Sequence, residues 1–196
     1  RWFKDSVCGQ EKDGDYFDVL NNAAKDIPAG SDGVLFLPYL TGGTNDVKEA
    51  TGCFLNMTLD TDQATLWHAV LEAIGYDYME ITDLYRGAGV DMSRITITEG
   101  GSRSEIWNQM KSDMLGSEVI TLKNAGGAVV TDCIVGAYAL GHITDMKAAL
   151  TESLEIKKLY YTNAENHDFY AKQYALQKKL VKQDMKEAFH TLKALH

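Results

Sequence analysis

Residues 95–107 read I-T-I-T-E-G-G-S-R-S-E-I-W, and no other stretch limits the fold as tightly. Ile95, Thr96, Ile97 and Thr98 alternate as a half-buried strand does. Glu99 leads into Gly100 and Gly101, and Ser102, Arg103, Ser104 and Glu105 open an amphipathic run. A strand that hands over to a helix through a glycine turn commits the chain to layered α/β packing. Glycines lack the Cβ atoms that would block close approach of another group. The helix start adds unpaired N–H groups and the positive end of the dipole. Two readings stand on spacing alone: a cradle for a flat or phosphorylated ligand, and a tight turn that binds nothing.

The same alternation runs along the chain. Tyr16, Phe17, Leu20, Ala23 and Ala24 recur at helical spacing, and Pro28 ends that helix near Asp26. Residues 34–40, V-L-F-L-P-Y-L, form an apolar strand interrupted by Pro38. Residues 41–46 read as a loop and 52–58 as a further strand. A long helix over 61–86 carries Leu66, Trp67, Val70, Leu71, Ile74 and Tyr78 on its apolar positions, with Asp60 or Thr61 as its cap. After the helix over 104–115 come a strand at 119–122, a Gly126-Gly127 turn and an apolar helix over 129–140. With so few charges that helix is expected to be buried. Residues 146–150 are expected to be a short helix, 154–166 irregular, and 168–195 one long helix. Tyr174, Val181, Met185, Ala188, Leu192 and Leu195 form a heptad-like stripe on it, which suits packing across its own domain or a partner helix. The class is therefore α/β with a mixed or parallel sheet, and ligands in such sheets lie beyond the carboxyl ends of strands.

Bulk properties narrow the function. A net charge of −9 argues against a general nucleic-acid or anionic-membrane surface. Cys8, Cys53 and Cys133 are far apart and lack zinc spacing, so reduced, buried thiols in a cytoplasmic protein are expected. There is no apolar run of membrane length. Arg1 reads as the middle of an element, so the chain is expected to begin inside a larger protein.

Several segments, in order, resemble the C-terminal half of the FGGY carbohydrate kinases, members of the actin-like ATPase (ribonuclease H-like) superfamily. Residues 1–5, R-W-F-K-D, are similar to the family's R-W-F-R-D, and 33–40, G-V-L-F-L-P-Y-L, to its G-L-L-F-L-P-Y-L. Residues 52–60, G-C-F-L-N-M-T-L-D, resemble R-G-x-F-x-G-L-T, and 66–75 the helix L-x-R-A-V-L-E-G-I-A. Residues 99–116 resemble G-G-G-A-x-S…W-x-Q-x-x-A-D-x-x-G, and 135–137 the L-G-A-A segment. Phe169, Tyr170 and Tyr174 resemble the tyrosine-rich last helix of pentulose kinases. Two departures stand out: Gly42-Gly43-Thr44-Asn45 replaces the family's G-E-R-x-P, and Glu99 replaces the first glycine of its triplet.

The resemblance implies a domain spanning 1–196, with 146–196 as a helical extension packed on it. It implies ATP and Mg as cofactors and, as partners, ATP or ADP, a small sugar, the protein's own N-terminal domain and a homodimer. Gly100, Gly101 and Ser102 would carry the adenosine, with Glu105 and Asp60 as further nucleotide contacts. No catalytic or metal-binding residue is implied within 1–196, because the family's catalytic Asp and phosphate-binding hairpin precede this segment. D-xylulose is the favoured acceptor and gluconate the next. A non-catalytic nucleotide-binding relative and an oligomerisation module built on 168–195 are the alternatives. A basic residue is common in the family where His68 stands, which implies a surface or interdomain place for it. Trp67, Trp107 and Tyr78 are expected in the core.

Overall fold

The computed structural model describes residues 1–12, 14–43, 47–123 and 127–195. The loop residues Thr44, Asn45 and Asp46, and Gly126 of the second glycine turn, lie outside them.

Helix α1 (Tyr16–Ala24) buries Leu20 and Ala24. Strands β1 (Leu35–Leu37) and β2 (Cys53–Leu55) pair antiparallel, with Phe36 opposite Phe54. Those two rings stack at 4.4 Å, and Trp2 stacks on Phe36 at 5.9 Å. Helix α2 (Gln63–Gly87) forms the spine of the core. Its cap is Asp62, whose carboxylate accepts from the Thr65 N–H at 2.9 Å, rather than the expected Asp60 or Thr61. Trp67, Leu71 and Tyr76 on α2 pack in one cluster with Phe3, Leu20, Leu37 and Met114.

A second sheet has the order β3-β4-β5. Strand β3 (Arg94–Ile97) runs through the glycine turn into α3 (Glu105–Leu115) and on to β4 (Glu118–Leu122), which lies parallel to β3. This is a βαβ unit, as the strand–turn–helix pattern required. Gly116 takes φ +58 and ends α3, where a left-handed residue is normal.

Four expectations are corrected. The stretch expected to be irregular contains β5 (Ile156–Tyr160), antiparallel to β4 with Val119 opposite Tyr160. Its Lys157 and Lys158 hide the apolar alternation, because most of an edge strand faces water. The apolar helix α4 (Gly127–Ala139) has no buried residue, and its main neighbour is α5 (Met146–Ser153). The expected single terminal helix is three pieces: α6 (Ala164–Lys179), a π-helical segment (Leu180–Asp184) and α7 (Lys186–Ala194). Its stripe divides accordingly: Val181 is buried in the core, whereas Leu192 and Leu195 are exposed. The three thiols are not buried, since Cys133 is exposed and Cys8 and Cys53 are half-buried.

Candidate functional site

The turn after β3 is built from backbone that a side chain rarely tolerates. Glu99 has φ 61 and ψ −160, a region almost confined to glycine. This explains why the resembled motif places glycine there. Asn56, where the β2 motif has its second glycine, likewise has φ 61, and asparagine is among the residues that tolerate this region best. Gly100 to Ser102 then form one short 3-10 turn. Ser104 caps α3 by accepting from the Trp107 N–H at 3.3 Å.

Polar groups behind the turn hold it in place. The Ser102 hydroxyl donates to the Glu99 carbonyl at 2.7 Å, and Asn108 Nδ2 donates to the Ser102 carbonyl at 2.7 Å. Lys111 Nζ donates to the Gly101 carbonyl at 3.1 Å and sits 3.6 Å above the centre of the Trp107 ring. A Cβ on Gly101 would stand 3.3 Å from Trp107 Cζ3, so only glycine fits without displacing the indole. Burial pushes the Lys111 ammonium down to about 8.

In front of the turn lies a cavity of about 420 Å³. Gly100, Gly101 and Ser104 form one wall; Phe17, Trp67, Leu71, Ile74 and Trp107 supply apolar surface; Arg1, Asp15, Asp18 and Arg103 add charge. Trp67 is fixed by donating from Nε1 to Asn21 Oδ1 at 3.0 Å. An apolar slot with a glycine wall and the start of α3 suits a flat heterocycle attached to a polar tail.

The expected site residues separate. Gly100 and Gly101 line this cavity together. Ser102 is buried and shapes the turn from behind, facing a smaller space of about 340 Å³ with Glu99, Arg103, Lys123 and Lys157. Glu105 points the other way and pairs with Lys158 at 2.9 Å. Asp60 is exposed after β2 and is not among the residues that line the cavity. Trp67 is core, as expected, and also lines the cavity; Tyr78 is 38% exposed and stacks on Trp107 at 6.3 Å. Sequence reading passed over Lys111, although it lies one helical turn beyond Trp107 on the same face, the spacing at which side chains meet.

A second polar cluster lies deeper. His68 is buried, against the expectation of a surface or interdomain position, because its face of α2 packs on the Gly30-Ser31 turn. Glu72, 1% exposed, accepts from the Gly30 N–H at 2.7 Å, the Ser31 hydroxyl at 2.8 Å and the Tyr170 hydroxyl at 3.0 Å. Ser31 Oγ also lies 2.9 Å from His68 Nδ1. Burial pushes Glu72 up to about 7, against the three hydrogen bonds, and pushes His68 down to about 4. The 3.4 Å approach of His68 to Glu72 is thus a contact between largely neutral groups near pH 6. Ser31 and Glu72 are buried, and the set ties α2 to α6 and the turn before β1, while His68 and Tyr170 also line a cavity of about 420 Å³.

Comparison with known proteins gives a consistent answer. Residues 2–140 match the FGGY family of carbohydrate kinases, C-terminal domain. The chain is 28% identical over 184 residues to a xylulose kinase of Staphylococcus epidermidis, covering 93% of this chain and 36% of that protein. It is 32% identical over 160 residues to a gluconokinase of Bacillus subtilis, covering 76% of this chain and 31% of that one. Among solved structures, xylulose kinase from Rhodospirillum rubrum superposes with a TM-score of 0.73 at 24% identity, covering 94% of this chain and 36% of its own. The chain spans about a third of the length of these relatives.

Proposed function

The chain belongs to the FGGY family of carbohydrate kinases and has the actin-like ATPase fold of their C-terminal domain; from this premise we propose that it forms the nucleotide-binding half of an ATP-dependent sugar kinase. One observation carries the reading: the cavity that joins the Gly100-Gly101 wall to the apolar surface of Trp67, Leu71, Ile74 and Trp107. The base would lie in the slot, and the phosphates would leave along the turn. Glycine at 101 allows that approach, and the start of α3 offers N–H groups to negative charge. Gly100 and Gly101 are the direct contacts in this reading. Ser102 acts by holding the turn, while Glu105 and Asp60 are at most peripheral.

Phosphoryl transfer needs in-line positioning, a divalent cation across the phosphates and a base for the acceptor hydroxyl. Among the described residues no three His, Cys, Asp or Glu side chains come together to hold a metal. In this reading Mg is held mainly by the nucleotide and the N-terminal domain, and that domain also supplies the base and most sugar contacts, as the family resemblance implies. D-xylulose is the favoured acceptor, supported by the xylulose kinase relatives that match almost the whole chain, with gluconate as the alternative.

Two tryptophans border the cavity, so ATP should quench intrinsic fluorescence saturably. The absence of any change up to millimolar ATP would remove the nucleotide reading. A coupled assay on the full-length enzyme should show turnover of D-xylulose; turnover of gluconate alone would move the substrate assignment. The strained Glu99 favours a second reading, a relative that binds nucleotide without turnover. ATP binding by a full-length protein that phosphorylates neither sugar, nor any other polyol tried, would select it.

A further inference from the structure

We infer that Lys111 is a positioning residue for the nucleotide: its ammonium clamps the Gly101 carbonyl and the Trp107 ring into the wall against which the base rests. The inference builds on the nucleotide reading of the cavity and adds a residue that does not line it.

Two contacts converge on one atom, and a side chain at Gly101 would crowd it. Nζ donates to Gly101 O at 3.1 Å, stands 3.6 Å over the indole, and would be 3.7 Å from a Cβ on Gly101. Gly101 and Trp107 both line the cavity; Lys111 is 2% exposed behind them. Among the described residues no carboxylate pairs with it. No charged group on α2, the turn or α3 moves its titration, and burial is the only cause of its shift. An uncompensated buried ammonium is expensive, and a methionine would fill the same volume without that cost. What a methionine cannot do is hold a carbonyl and a ring face at once. Losing the proton abolishes the cation–π attraction and weakens the hydrogen bond to the carbonyl. The wall should therefore loosen as Lys111 becomes neutral, a change within reach of ordinary buffers.

Calorimetric titration of ADP separates the outcomes, using wild type, Lys111→Met and Lys111→Arg between pH 7.5 and 9.5. Wild-type affinity should weaken roughly tenfold across that range, the size of a desolvated cation–π contact. Lys111→Met should bind about tenfold more weakly at pH 7.5 and show no further fall. Lys111→Arg keeps its charge throughout and should restore affinity with a flat profile. Equal affinity and parallel pH profiles in all three proteins would overturn the role of Lys111 and leave the nucleotide reading standing. A wild type that binds no ADP at either pH overturns the reading beneath it as well. If Lys111→Met does not fold, wild type against Lys111→Arg still decides, because parallel profiles there refute the inference.

Discussion

Helices α2 and α4 invert the usual relation between composition and burial. Helix α4, G-A-V-V-T-D-C-I-V-G-A-Y-A, has one charged residue and buries nothing; Val129 is 66% exposed. Helix α2 carries four acids, a histidine and an arginine, yet buries residues from Thr65 to Thr82. The difference lies in neighbours. α1, β1, α3 and the turn before β1 pack on α2, whereas α4 has chiefly α5 beside it. An apolar face states a demand for cover, and only geometry says whether these residues supply it. The buried carboxyl of Glu72 on α2 is tolerated because three donors meet it.

Substitutions on the two helices can break that contrast. The largest loss is expected for Glu72→Ala, which orphans the Gly30 N–H and the Tyr170 hydroxyl and leaves Ser31 with His68 alone. Urea unfolding should register roughly 3–4 kcal/mol, and a change below about 1 kcal/mol would mean that Glu72 is no hub.

The pH response of the same cluster is sharper. Between about pH 4.5 and 6.5 the folded cluster holds Glu72 protonated and His68 neutral, while in the unfolded chain Glu72 is ionised and His68 protonated. Both states carry the same number of protons, so the two slopes cancel. Single variants should uncover them. In Glu72→Gln, His68 remains; its value is depressed, so stability should fall as pH drops from 6.5 towards about 4. In His68→Gln, Glu72 remains; its value is raised, so stability should fall as pH rises from 4.5 through about 7. Each slope is worth on the order of 2–3 kcal/mol, and two flat profiles would refute the pairing.

Gly75→Ala drives a methyl into the Met114 sulfur where α2 crosses α3, and thermal unfolding should report about 1–3 kcal/mol of overpacking. At the far end of the scale, Val129→Ser and Val135→Ser on α4 should each cost under about 0.5 kcal/mol in this chain. A loss above about 1 kcal/mol at either would show that α4 is covered after all.

These contrasts also mark what was legible in advance. The β3–turn–α3–β4 unit was, because its apolar period changes from strand to helix at a glycine pair. The strand at Leu35 was, because every one of its residues is buried. Strand β5 was not, since its lysines face water and only Tyr160 is buried. That Gly100 and Gly101 sit in a turn between strand and helix was legible from local chemistry; the cavity they line was not. Glu105 was misplaced because the first turn of a helix presents residues on all sides: Ser104 lines the cavity, and the next residue faces Lys158. His68 was placed on the surface and Lys111 escaped notice because their roles depend on groups far away in sequence or on the back of a turn.

The pairing of Val119 with Tyr160 has a consequence for how the chain is made. β3 and β4 emerge from the ribosome soon after one another, joined by α3. The strand that closes the outer edge of β4 is translated only after α4 and α5. At roughly 5–20 residues per second, β4 waits for seconds with its hydrogen-bonding edge open. That interval is when a nascent chain is most exposed to a second copy of the same edge. A chaperone that shields β4 during it is expected to raise the yield of soluble protein without altering the finished fold.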